Sequence, residues 1–179
     1  MNSLIAKTLY AGIVSDSERF ILPYTTSKTF NLVSKMLKDY PFDMSEVYKN
    51  IYERPLNERQ FEAYLISNLT ITKNGFGYIK ITNDILKKFG VDPGTPSNMV
   101  NNLNFIKELK VWAFSCFDEK SQMFKINIRS RDVAINHIAE MYNGGGHKFA
   151  SGARLKNESE VDALFEALDK NLENKENIQ

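Results

Sequence analysis

Cysteine is nearly absent from this chain, which has one, Cys116, among its 179 residues. A single cysteine excludes an internal disulfide and a zinc site made of several thiolates. The preceding residues Val111, Trp112, Ala113 and Phe114 are apolar. We therefore expect Cys116 to be a buried strand residue.

Long apolar runs and an excess of one charge are also missing. No window approaches the ~18 apolar residues of a membrane span, and Met1 to Tyr10 lack the basic flank of a signal peptide. Lys and Arg number 23 against 22 for Asp and Glu, so nucleic acid would have to bind a local patch rather than a global basic field. The content of 42% hydrophobic and 12% aromatic residues is enough for a core. These features predict a globular, cytoplasmic protein with no membrane partner.

The first part of the chain has mainly helical apolar spacing. The pattern predicts helices over residues 2–13 and 28–39, and a further helix opened by Asp43. Residues 12–17 are interpreted as an apolar segment that delivers Asp16 to a loop.

After about residue 68 the pattern changes to strands that alternate with helices. Asn74-Gly75 predicts a two-residue hairpin turn, and Ser97 is expected to cap a helix. Arg129 is expected at a strand end, on the face away from the core. The other expected elements are strands at 111–117 and 151–155, a helix from Asp132, and a last helix that frays from Glu173.

The most distinctive motif is Asn143-Gly144-Gly145-Gly146-His147. Three consecutive glycines lose much backbone entropy on folding, so they are expected where the chain needs positive φ or a close approach. Bare backbone N–H groups suit an anion, usually phosphate, and His147 could add a side-chain donor. Two interpretations stay open: a phosphate or nucleotide site, and a helix C-cap followed by a tight turn.

These motifs together resemble a known family. The chain resembles the substrate-binding domain associated with DHH phosphoesterases in the order of its motifs: Arg129-Ser130, a helix, residues 144–147, and Ala150-Ser151-Gly152. Within that superfamily the chain most resembles the bacterial bifunctional oligoribonucleases, or nano-RNases, which are also phosphoadenosine phosphate phosphatases. Upstream, residues 9–20 resemble the last metal-binding motif of the family's catalytic domain, with Asp16 as its acid.

The resemblance implies an α/β fold with two parts and a tail. Residues 1–66 would be a helical remnant of the DHH catalytic domain with a connecting helix. Residues 67–173 would form a small mixed-sheet α/β substrate-binding domain, and residues 174–179 a frayed tail. The catalytic cleft would lie between the two parts.

The resemblance also implies an activity and roles for residues. The family hydrolyses short oligoribonucleotides as an exonuclease and removes a phosphate from phosphoadenosine phosphate, using two divalent ions, usually Mn²⁺. Asp16 would be a catalytic metal ligand, and His147 a catalytic contact to the substrate phosphate or scissile bond. Each of two residues also has an alternative role. Asp16 could be a loop or capping acid, and, independently, Arg129 could pair with a carboxylate. The implied substrate-binding residues are Arg129, Ser130, Gly144, Gly145, Gly146 and His147.

Most metal ligands of that family are not found here. Its paired Asp and Asp-His-His motifs lie N-terminal to the matched segment, and this chain has no His-His pair. The expectation is a C-terminal fragment, or the product of a split gene, that binds short oligoribonucleotides or adenosine nucleotides but is hydrolytically inactive by itself. Association as a homodimer or with a separately encoded N-terminal part is expected. The alternative function is a non-catalytic nucleotide or single-stranded nucleic-acid-binding module.

Overall fold

The protein divides into two compact units, Met1–Arg54 and Pro55–Gln179. The computed structural model describes residues 2–176, with side chains to Glu173. The helices and the six-stranded mixed sheet confirm the predicted α/β fold. The division precedes the helix at Leu56–Ser67, whose Phe61 and Leu65 pack in the second unit. The domain limits at residues 66 and 173 stay predictions.

Three helices make up the described part of the first unit, and the predicted helical segments are confirmed. Each begins at a polar residue suited to capping: the Asn2 side chain accepts from the Ile5 N–H, and the Asp43 carboxylate accepts from the Ser45 N–H. A small core includes Tyr10, whose ring packs against Phe42. The helices are α1 (Ser3–Asp16), α2 (Ser27–Asp39) and α3 (Met44–Tyr52).

The segment that ends at Asp16 is helical, so the prediction of an apolar segment leading into a loop was wrong. Tyr10 and Val14 are buried one turn apart, and this packing offsets the modest helix cost of Gly12. The helix ends in a turn where Glu18, Arg19 and Phe20 have φ of 48°, 65° and 67°. Three successive non-glycine residues in the left-handed region are a strained way to stop a helix.

The first unit exposes several large apolar side chains. Such residues favour contact with another apolar surface, and the predicted self-association stays a prediction. The residues are Leu4, Ile5, Leu9, Ile21, Tyr24, Phe30, Leu32 and Met44.

The second unit contains the remaining helices. Ser97 lies inside a helix rather than at its cap, and the helix expected from Asp132 begins only at Asn136. The last helix continues to Glu176, past the expected start of fraying, and residues 177–179 lie outside the described part. The helices are α4 (Leu56–Ser67), α5 (Asn83–Phe89), α6 (Thr95–Met99), a 3₁₀ helix (Val100–Phe105), α7 (Asn136–Met141) and α8 (Glu158–Glu176).

The strands form one sheet in the order β1-β2-β3-β4-β6-β5. Only the β2–β3 pair is parallel among those described, and the others are antiparallel. The predicted hairpin is confirmed, but its loop has three residues, Lys73 to Gly75, because the Thr72 N–H donates to the Phe76 carbonyl. Gly75, at φ 89°, allows this turn. The strands are β1 (Thr70–Ile71), β2 (Phe76–Ile81), β3 (Val111–Asp118), β4 (Met123–Ser130), β5 (Gly145–His147) and β6 (Ala150–Leu155).

Both faces of the sheet carry a core. On one face Ile126 and Ile128 pack with α7 and α8. On the other, Trp112 and Phe114 are buried with residues of α4, α5 and the 3₁₀ helix, which confirms that they are core residues, as is Cys116. Arg129 projects away from the Ile126 and Ile128 core, as expected, but its face carries a second core over β2 and β3, because a parallel strand pair is covered on both faces. No described helix is long and apolar enough to cross a membrane.

Candidate functional site

Arg129 and His147 lie in one row across three strands. In the sheet register Arg129 is opposite Ala150, and Ala150 is opposite His147. Directly opposite residues project to the same face, and two strand spacings separate the outer pair by about 10 Å between backbones. Ala150 between them has only a methyl group. The structure thus brings two of the predicted site residues to one surface.

Arg129 is a half-buried cation held by two hydrogen bonds. Its Nε donates to Asn101 Oδ1 at 2.9 Å, and its Nη1 donates to the carbonyl of Ile128 at 2.9 Å. Burial lowers the pKa of the Arg129 guanidinium, although arginine stays protonated in proteins. Within the described residues it has no carboxylate partner, so the alternative of an ion pair was wrong. Nη2 is left to donate to an anion, for which the planar guanidinium fork is suited.

Beside this row lies a second row with almost no side-chain bulk. Asn127 of β4 is opposite Gly152, and Gly152 is opposite Gly145. Asn127 donates through Nδ2 to the Ser97 hydroxyl at 3.1 Å, so α6 fixes its orientation. The sheet surface over β6 and β5 is therefore floored by glycine and alanine, where a ligand can approach the backbone closely.

The three consecutive glycines have different roles. A Cβ on Gly144 would lie 2.2 Å from the Gly152 carbonyl oxygen, and one on Gly146, at φ 137°, would lie 2.6 Å from the Ala150 oxygen. A Cβ on Gly145 would meet nothing within 4 Å. Two of the glycines are thus required by packing, while the third faces open space.

Both interpretations of the glycine run describe part of this structure. After helix α7, Asn143 has a φ of 55°. The next residue, Gly144, donates its N–H to the Ala139 carbonyl at 2.8 Å and so closes the helix end. The run then becomes β5, an edge strand in the described sheet. Edge strands leave some backbone N–H groups unpaired by the sheet, so this strand can still offer donors to an anion.

Ser130 differs from the other predicted substrate residues. Its hydroxyl donates to the Val133 carbonyl in the interior, and its N–H donates to the Phe149 carbonyl at 3.0 Å. By strand alternation its side chain is on the face opposite that of Arg129. The structure therefore does not bring the Ser130 side chain to the Arg129 surface, and its predicted role stays a prediction.

One residue at this site was missed in the sequence. Asn101 orients Arg129 from the 3₁₀ helix, and no local motif marks it. Phe149 follows exposed His147 in the turn, but its carbonyl accepts from the Ser130 N–H, so it is opposite Ser130 and not opposite Arg129. The structure therefore does not bring the Phe149 ring to the Arg129 surface.

Asp16 belongs to the first unit and is described by itself. It is the last residue of α1 and is exposed, and its carbonyl accepts from the Tyr24 hydroxyl at 2.6 Å. A hard divalent ion needs roughly six ligands, yet no group of three His, Cys, Asp or Glu side chains with metal-site geometry occurs among residues 2–173. The residues described here do not make the family's two-ion site.

Comparison with known proteins shows the family. The DHHA1 domain model matches residues 74–174, so the chain belongs to the DHHA1 domain family, and the resemblance found in its motifs is confirmed. A solved structure, an exopolyphosphatase-related protein from Bacteroides fragilis, superposes with a TM-score of 0.84 at 24% identity, over 96% of this chain and 52% of that one. That likeness supports the fold.

Two curated relatives are similar in sequence. The chain is 39% identical to the uncharacterized protein MG371 of Mycoplasma genitalium, over 94% of this chain and 51% of that protein. It is 35% identical to the bifunctional oligoribonuclease and PAP phosphatase NrnA of Bacillus subtilis, over 94% of this chain and 53% of that protein. The chain spans about half the length of the curated relatives it matches.

Proposed function

We propose that this chain supplies nucleotide and phosphate binding to a DHH-type phosphoesterase that hydrolyses short oligoribonucleotides and phosphoadenosine phosphate. The observation that carries this proposal is Arg129, a half-buried guanidinium without a carboxylate partner in the described residues. Removing a cation from water is costly unless an anion compensates it. A terminal phosphate would provide that anion, with His147 as a second donor across Ala150.

The surrounding residues leave room for a nucleotide. Asn101 positions the guanidinium, and the surface at Gly145 admits a ligand to the backbone. The relatives named as oligoribonucleases and PAP phosphatases act on ligands of this kind.

Cleavage is proposed to need more metal ligands than these residues provide. In the family two Mn²⁺ ions would activate water and stabilise the leaving oxygen, and Asp16 would hold one of them. The described part of this chain offers no further cluster of ligands around Asp16. We therefore expect the 179-residue chain to bind substrate without turnover.

Titration calorimetry with adenosine monophosphate tests the binding proposal. Arg129→Ala and His147→Ala should each weaken binding, the first by about 10- to 100-fold, as expected for a hydrogen bond to a charged group worth about 1.5–3 kcal/mol. His137→Ala is a matched control, because His137 is an exposed residue of α7. Unchanged affinity in both site variants would refute the assignment.

An assay with Mn²⁺ and a di- to tetraribonucleotide tests the second part. Binding without product would support the proposal and would equally suit a non-catalytic binding module. Turnover that Asp16→Ala abolishes would show that the chain is a complete hydrolase and that the expectation of inactivity is wrong.

A further inference from the structure

A cleft of about 510 Å³ lies beside the far end of the same sheet. It opens between α5, the loop that follows it, and the turn that joins β3 to β4. Its volume is within the range of small-molecule sites, about 300–1,000 Å³. None of the residues assigned above to phosphate binding lines it. The lining includes Leu86, Lys87, Val91, Gly94, Cys116 and Lys125.

The wall of the cleft is apolar and chemically inert. Leu86, Val91 and Phe117 supply hydrocarbon or ring surface. Burial raises the pKa of the Cys116 thiol, so this group stays protonated and acts as a small apolar residue. A flat, weakly polar group such as a nucleobase fits such a wall.

The cleft also presents amines that lack acidic partners. Lys87, Lys120 and Lys125 line it and form no ion pair with any described residue. The two carboxylates there are occupied: Asp118 accepts from the Lys120 N–H and the Ser121 hydroxyl, and Glu119 accepts from the Asn83 amide. Three ammonium groups against two carboxylates leave a local positive charge.

Lys125 connects the cleft to the Arg129 surface. It lies on β4 four residues before Arg129, so both side chains project to the same face, about 14 Å apart along the strand. Asn127 and Gly152 lie between them. Lys125 is also directly opposite Arg154, a like-charge pair that destabilises a sheet and that an anion would relieve. Arg154 is one of the groups that lower the pKa of the Asp118 carboxyl, after its hydrogen bonds with Ser121 and Lys120.

We propose that this cleft is a second nucleotide subsite, in which Lys125, together with Arg154 directly opposite it on β6, binds a backbone phosphate of the strand whose terminal phosphate lies at Arg129. The inference rests on the proposed function. The span along β4 exceeds one nucleotide repeat, so the ligand is an oligoribonucleotide of about three residues, with one base against the apolar wall of the cleft.

The test compares adenosine monophosphate with triadenylate, titrated against the 179-residue chain in EDTA. Lys125→Gln should weaken triadenylate binding about tenfold and leave adenosine monophosphate binding unchanged. It should also reduce the slope of log K against log salt for triadenylate by about 0.7, the loss of one phosphate contact to a single strand. Lys107→Gln, an equal change of charge at an exposed residue of the same unit, should alter neither ligand.

Two further variants exclude a merely structural effect. Lys125→Arg should restore triadenylate affinity. Gly94→Trp adds a large side chain at the cleft wall, where a Cβ meets nothing within 4 Å, and it should weaken only triadenylate. Circular dichroism checks that each variant is folded.

The outcomes separate the two proposals. Equal effects of Lys125→Gln on both ligands, or no effect on either, would overturn the second subsite while Arg129→Ala still weakened both. No effect of Arg129→Ala on either ligand would overturn the proposed function. No binding of either ligand by the unaltered chain would overturn both proposals.

Discussion

One face of the sheet has a covered half and an open half, and the two are built from contrasting residues. Over β2 and β3 the face carries Ile79, Trp112 and Phe114, all buried beneath helices. Over β4, β6 and β5 the same rows continue with Asn127, Arg129, then alanine and glycine. Trp112 and Arg129 are direct cross-strand partners, so the boundary between the halves falls between two neighbouring strands.

This difference shows how one sheet divides stability from binding. The covered half excludes water with large side chains, and even the indole Nε1 of Trp112 donates internally, to the Val100 carbonyl at 2.6 Å. The open half replaces bulk with backbone and leaves cations without acidic partners. Substitutions in the covered half should therefore lower the free energy of unfolding, and those in the open half should change mainly ligand affinity.

The largest expected effect is that of Trp112→Ala. The side chain is 2% exposed, and its removal leaves a cavity and an unpaired Val100 carbonyl. The free energy of unfolding should fall by about 3–5 kcal/mol, measured by urea denaturation. A loss below about 1 kcal/mol would mean that the covered half is not the stabilising one.

The neighbouring glycines give a matched pair. Gly144→Ala should lower the free energy of unfolding by about 1–3 kcal/mol, because its Cβ overlaps the Gly152 carbonyl. Gly145→Ala should change it by less than about 1 kcal/mol and weaken adenosine monophosphate binding instead. Thermal denaturation and calorimetry on both variants check this, and equal destabilisation would contradict the distinction between the two positions.

Arg129→Met tests whether the open half contributes to folding. Methionine keeps the apolar stem of the side chain and removes a desolvated charge. The free energy of unfolding should change by less than about 1 kcal/mol while nucleotide binding weakens about 10- to 100-fold. Arg129→Lys should not restore the affinity, because an ammonium lacks the planar fork. A strong destabilisation in urea would assign Arg129 a structural role.

Lys125→Thr should have the smallest effect. It removes the like-charge pair with Arg154 and places a β-branched residue in a strand, so the free energy of unfolding should rise by about 0.2–1 kcal/mol. The same urea titration measures it, and a decrease would show that the pair is not a stability cost of the open half.

Local patterns in the sequence were sufficient to predict most helices and strands. They also predicted that Arg129 lies near the end of a strand and that His147 belongs to the glycine motif. The hairpin at Asn74-Gly75 and the Asp43 cap of α3 depend on residues close in the chain. The motif resemblance predicted the family, which the domain match confirms.

What the sequence could not predict depends on distant contacts. The helix through Gly12 is stabilised by packing of Tyr10 and Val14. The second core depends on which helices pack over the parallel strands β2 and β3. Asn101 contacts Arg129, which is 28 positions away in the chain. The separate roles of the three glycines depend on the Gly152 and Ala150 carbonyls, which only the strand pairing brings near.

The short edge strands have a consequence for the behaviour of the protein at high concentration. In the described sheet the edges are β1, of two residues, and β5, of three. An edge this short offers few free backbone groups to a strand of another molecule. Ordered aggregation by edge-to-edge pairing should therefore be disfavoured, and the glycine-rich strand that leaves room for a ligand also limits the length of that edge.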